Sequence, residues 1–153
     1  GQESPLLLDP ARDNGIEHIE FVPRRASPGA RMERWVPIPR QGSRRGWFTI
    51  DVLRLDRQEL LELYEKFVGR EVQPVVQRLQ NALRNGDPTR LWGCYQEALD
   101  LLVPGRPLVG LAYDALRWLV ADATLAPRLP PWPSPAEIGG QRPGRRRERT
   151  RPT

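Results

Sequence analysis

The sequence predicts a mainly α protein: a compact cluster of about four helices over residues 56–125, a short extended or β N-terminal region, and a disordered basic C-terminal tail. Three observations carry that expectation. From Asp56 onward, apolar residues recur at the helical period of roughly 3.6 residues. Residues 16–22 and 47–53 are instead short, loosely alternating and rich in β-branched and aromatic side chains, as strands are. Beyond Pro127, proline, glycine and arginine displace the apolar residues that a packed element needs.

The first helix starts at Asp56, which with Glu59 resembles a capping box, the aspartate oxygen accepting from an orphan backbone N–H. Leu60, Leu61, Tyr64, Phe67 and Val68 form its stripe, and Gly69 is the expected stop. The second helix puts Val72, Val75, Val76, Leu79 and Leu83 on one face. Pro74 fits only its first turn, and Asn85-Gly86 ends it. Asp87-Pro88 opens the third with an acidic N-cap and a proline at N1. Leu91, Trp92, Tyr95, Ala98, Leu99 and Leu102 are its expected buried stripe. The fourth, from about Pro107, carries Leu108, Leu111, Ala112, Ala115, Leu116, Leu119 and Val120, while Val109, Tyr113 and Trp118 make its other sides apolar. A helix apolar nearly all round is a central one, so this is the expected spine.

Before Asp56, residues 31–38 add a third extended stretch, which Pro37 and Pro39 confine to an edge or a non-sheet path. A small antiparallel sheet and an arm laid across the bundle are the two alternatives. The chain then divides into a flexible N-terminus (1–14), an extended or β basic arm (15–55), a helical core (56–125), and a proline-rich linker with an arginine-rich tail (126–153). After Leu129 only Ile138 is a branched aliphatic, so truncation after Pro127 is expected to leave stability unchanged.

An apolar fraction of 39% over 153 residues supports one small core, and no run approaches the ~20 apolar residues of a membrane span. The single Cys94 excludes an internal disulfide framework, and the single His18 leaves no zinc cluster. Neither metal nor cofactor is expected. Of 24 basic residues only Lys66 is lysine, a skew that GC-rich coding or a small viral gene produces as readily as a binding function. The basic excess lies outside the core: residues 56–125 hold eight basic and ten acidic groups, residues 126–153 seven and two.

No reaction is named by these residues. There is no nucleophile elbow, phosphate loop or dinucleotide fingerprint, and the acid pairs Glu59/Glu62 and Glu62/Glu65 lie on a solvent face. Cys94, inside the third helix, packs as a small hydrophobe, and His18 is a surface or strand residue. A non-enzymatic interaction protein is the expectation. The leading partner is anionic, RNA or single-stranded DNA, because guanidinium groups bind phosphate through paired N–H donors and indoles stack on unpaired bases. The first arm supplies Arg24, Arg25, Arg31, Arg34, Arg40, Arg44 and Arg45 with Trp35 and Trp47 interleaved; the tail supplies Arg145, Arg146 and Arg147. A solvated loop anchored by its tryptophans is the plainer alternative for the first arm.

The runner-up is a protein-binding adaptor or homodimer that uses an apolar groove of the helices, with Trp92, Tyr95, Tyr113 and Trp118 as its residues. An anionic membrane surface is the third class. Residues 129–135 favour polyproline II, either as a groove ligand, with Pro130 to Pro133 a minimal P-x-x-P match, or as a stiff spacer carrying Trp132 back onto the bundle. The protein is expected inside the cell, with the basic run 145–151 serving as a nuclear import signal. Pro5 stands where a myristoylation pattern wants Ser or Thr, and residues 6–8 are too short for a signal-peptide core. In arrangement alone, with no motif matched, a glycine start, small helical bundle, proline-rich segment and basic residues resemble retroviral matrix domains.

Overall fold

A computed structural model describes residues 6–9, 13–25, 28, 33–121 and 128–140. Asn14 caps a single helical turn, α1 (Gly15–His18), its side-chain oxygen accepting from the Ile16 N–H at 3.3 Å. The chain then enters β1 (Ile19–Arg25), which pairs antiparallel with β2 (Glu33–Pro39) in a register running from Ile19 opposite Pro39 to Arg25 opposite Glu33. Prolines 23, 37 and 39 are tolerated because in a two-stranded ribbon each strand has an open edge. Trp35 and Pro37 alternate inward, and Trp35 is only 3% exposed.

Residues 47–53 are helical, not the expected strand: they lie in α2 (Arg44–Leu53). Ser43 starts that helix by accepting from the Gly46 N–H at 3.1 Å. β-Propensity is realised only where a strand partner exists, and β1 and β2 satisfy one another while α2 packs across β2. Arg54, in a left-handed conformation (φ 49°), closes α2.

The expected capping box at Asp56 does not form. Turn hydrogen bonds take up residues 54–57, α3 (Gln58–Phe67) begins after Arg57, and Asp56 lies 3.9 Å from Arg54 outside the helix. Gly69 is not a stop either. A π-helical turn (Val68–Val72) carries α3 directly into α4 (Gln73–Arg84). The wider turn directs both Val68 and Val72 into the core and leads into Pro74, which has no N–H to donate. Val75, Val76, Leu79 and Ala82 continue the buried face.

α5 (Pro88–Asp100) begins as expected, with the Asp87 carboxylate accepting from the Arg90 N–H at 3.0 Å. It buries Cys94, Tyr95 and Ala98, but Trp92, at the edge of the stripe, is 54% exposed. α6 (Val109–Val120) is the spine: all six residues from Leu111 to Leu116 are buried, Leu111 and Leu116 completely. Its apolar surface is not covered all round, since Trp118 faces solvent.

Segments on both sides of residues 56–125 complete the core. Ile16 and Trp35 join it from one side and Ile138 from the other. The C-terminal segment ends in a short helix, α7 (Pro135–Gly140), whose start is a reciprocal capping box: the Ser134 N–H donates to Glu137 at 2.6 Å and the Glu137 N–H to the Ser134 hydroxyl at 3.3 Å. The Asn14 amide donates to the Pro135 carbonyl at 2.8 Å, and Leu129 and Trp132 pack against the core.

One buried ion pair ties the ribbon to the spine. Arg40, 9% exposed, donates from Nη2 to Asp114 Oδ1 at 2.6 Å and from Nε to the Ile16 carbonyl at 2.6 Å. The other Asp114 oxygen accepts from the Phe21 N–H at 2.8 Å. Burial pushes the Asp114 carboxyl above the usual carboxylate range, while Arg40 and the Phe21 N–H pull it back. Arg40, grouped by sequence with the basic arm, is thus an internal residue.

Asp114→Asn strands the Arg40 charge in the interior and should cost about 3–5 kcal/mol in denaturant unfolding. The truncation expectation is reversed. Ending the chain before Arg128 removes Trp132 and Ile138 from the core and should cost at least about 2 kcal/mol, whereas ending it at Gly140 keeps these contacts. Thermal midpoints of the two truncations test the difference.

Candidate interaction surfaces

The register sets Arg24 directly opposite Arg34, with Arg25 beside them, at the end of the ribbon remote from α2's start. Arg24 and Arg25 are exposed, and Arg34 donates to the Gln58 carboxamide at 3.1 Å. Trp35, the next residue, presents no face to a ligand because it is core.

Arg44 and Trp47 form a second group, one turn apart at the start of α2. Arg44 is exposed, Trp47 is 59% exposed, and together with Leu6, Pro39, Gly42 and Phe48 they line a shallow pocket of about 250 Å³. Arg45, half-buried beside this group, is already engaged. Its guanidinium clamps Asp13 with bonds of 3.0 and 2.5 Å, which holds the Asp13 carboxyl below its usual range. Arg31 and Arg145–Arg147 lie outside the described residues.

His18 Nδ1 lies 2.8 Å from the Ser43 hydroxyl, a contact between residues 25 apart in sequence. This pair reads as a cap. The Ser43 oxygen already accepts from Gly46, neither residue lines a described pocket, and Asp13 is held by Arg45. Among the described residues no group of three or more His, Cys, Asp and Glu is placed to hold a metal ion. None of the described helices is long and apolar enough to cross a membrane. Cys94 is buried in α5.

A second concavity lies along the C-terminal half of α5. A groove of about 740 Å³ runs between Tyr95, Leu99 and Leu102 on one wall and Pro131, Trp132 and Ile138 on the other. Trp92 stacks on Tyr95 (centroids 5.6 Å apart, planes 29° apart), and Tyr95 in turn meets Trp132 at 5.2 Å. The Tyr95 hydroxyl donates to the Pro131 carbonyl at 3.3 Å, and burial raises its pKa above the ordinary tyrosine value. Of the four aromatics predicted for protein binding, Trp92 and Tyr95 come together here. Tyr113 is 3% exposed, beneath the Arg40 and Arg117 guanidinium groups, and Trp118 is exposed on α6 outside the groove lining. Trp132, Pro131 and Glu137 were not predicted as site residues, although the proline run around Trp132 was the signal for them.

No protein-family model, curated protein or solved structure matches this chain.

α2, and with it Arg44 and Trp47, is seated by a close backbone approach. A Cβ on Gly46 would stand 2.0 Å from the His18 carbonyl oxygen, so only glycine fits. Gly46→Ala must push α2 off α1 and should cost about 1–3 kcal/mol, with a shift in the Trp47 emission maximum that reports the displaced helix.

Proposed function

We propose that this protein is a non-enzymatic docking module that engages a protein partner through the aromatic groove of α5 and the C-terminal segment. One observation carries the reading. Trp92 is 54% exposed and stacks on Tyr95, whose ring lines a largely apolar groove. An indole contributes about 150–250 Å² of area when covered, and tryptophan and tyrosine are the residues that anchor protein interfaces. Tyr95 and Trp132 are held by their own packing, so the surface needs little ordering on association.

A second reading, an anionic partner such as RNA or single-stranded DNA, is favoured by the direct Arg24–Arg34 juxtaposition. Like charges opposite one another on a ribbon destabilise it, and a phosphate between them would relieve the repulsion. In that reading Trp47 is the stacking residue beside Arg44, the protein works inside the cell, and the run 145–151 directs it to the nucleus.

Affinity capture with three forms of the protein separates the two. The partner should be retained by the wild type and by the Arg24→Glu/Arg34→Glu double variant, and lost with Trp92→Ala. Loss on arginine reversal with survival of Trp92→Ala, together with steep salt dependence, would put the second reading in its place.

A further inference from the structure

The chemistry of the groove narrows the class of partner, an inference that rests on the docking reading. The first constraint is aromatic. Trp92, Tyr95 and Trp132 form a ladder of rings spaced 5.6 and 5.2 Å apart. The chain's own Pro131 and Pro133 line the same groove, and the Tyr95 hydroxyl donates to the Pro131 carbonyl. Flat rings accept the rigid pyrrolidine faces of proline at low entropic cost, because proline has little freedom to lose.

The second constraint is the balance of donors and acceptors. Neither the Trp92 nor the Trp132 indole N–H has a hydrogen-bond partner among the described residues. An indole only donates. A proline-rich chain presents carbonyl acceptors and few N–H groups, so it is matched by a surface of this kind rather than by one offering carbonyls.

The third constraint is charge. Glu137 lies in the groove lining, with one oxygen taken by the Ser134 N–H and the other without a partner among the described residues. Its bonds from Ser134 hold the carboxyl below the usual range, so it is ionised at neutral pH. A carboxylate at this place repels a phosphodiester chain and attracts a cation.

We propose that the groove binds an extended proline-rich peptide carrying an arginine or lysine, the prolines packing on the Trp92 and Trp132 indoles that flank the buried Tyr95 ring and the cation meeting Glu137. The peptide completes a surface that the chain's own proline segment builds halfway.

Calorimetric titration of the full chain with short synthetic polyproline peptides tests this. One peptide ends in arginine, one in glutamate, and a third replaces the prolines by alanine and serine. The arginine peptide should bind tightest and the proline-free peptide not at all. Trp92→Ala should weaken binding about tenfold or more, as loss of a central aromatic anchor does, while Leu63→Ala, an exposed site on α3, should not. Glu137→Gln keeps a residue able to serve the capping box and should level the arginine and glutamate peptides. Absence of binding by protein with wild-type circular dichroism, or binding that ignores Trp92→Ala, overturns the inference. An oligonucleotide displacing the peptide from Trp92 overturns it too. If the peptides fail while the captured partner still depends on Trp92, the proline chemistry falls and the docking reading stands; if that dependence is also missing, both fall.

Discussion

The Arg40–Asp114 pair is the interaction on which the arrangement of this molecule depends. It joins the end of β2 to the middle of α6; Arg40 also donates to the Ile16 carbonyl and lies 4.0 Å from the Glu20 carboxylate, and Asp114 also accepts from the Phe21 N–H. One ion pair therefore fixes α1, β1, β2 and α6 relative to one another. A buried pair of this kind contributes little net stability compared with apolar packing of the same volume. Its value is in geometry, because a guanidinium and a carboxylate in a dry interior accept very few alternative partners. With the ribbon held in place, Trp35 fills the core and α2 is carried across β2.

The same anchoring decides which arginines face the solvent. Positions 24, 25, 34, 40, 44 and 45 look alike as a basic stretch, yet they have three different fates. Arg40 is part of the core, Arg45 clamps the N-terminal segment through Asp13, and Arg24, Arg25, Arg44 and, bonded to Gln58, Arg34 remain at the surface. Formal charge is therefore a poor measure of this protein's anionic affinity, since part of it is neutralised inside. The aromatic residues sort similarly. Trp35 and Tyr113 are structural, whereas Trp47, Trp92 and Trp118 stay more than half exposed.

Along α5 the folded chain makes a surface that neither contributing segment has alone. Tyr95 is the shared element: its ring is the middle step between Trp92 and Trp132, and its hydroxyl holds the Pro131 carbonyl. The C-terminal segment reaches this position because Asn14 and the Ser134–Glu137 box fix its far end. The groove is thus a by-product of how residues 128–140 close the core.

The sequence by itself determined the mainly α class, the four helical stripes between residues 58 and 120, the Asp87-Pro88 start of α5 and the central place of α6. These follow from periodicity and capping, which are local and need no partner to be legible. Tertiary structure decided the rest. Whether residues 47–53 were strand or helix depended on β2 already having β1 as a partner and on Ser43 capping the turn. Gly69 gave no sign of a π-helical turn, because that turn goes with the burial of Val68 and Val72 in the core, a tertiary contact. Asp114 sits 74 residues from Arg40, and a charged residue in an apolar helix has no signature that names a partner so distant. The groove is of the same kind: Tyr95 and Trp132 were each visible as aromatic residues, but only the packing of Ile138 and Trp132 against the core brings the two rings together.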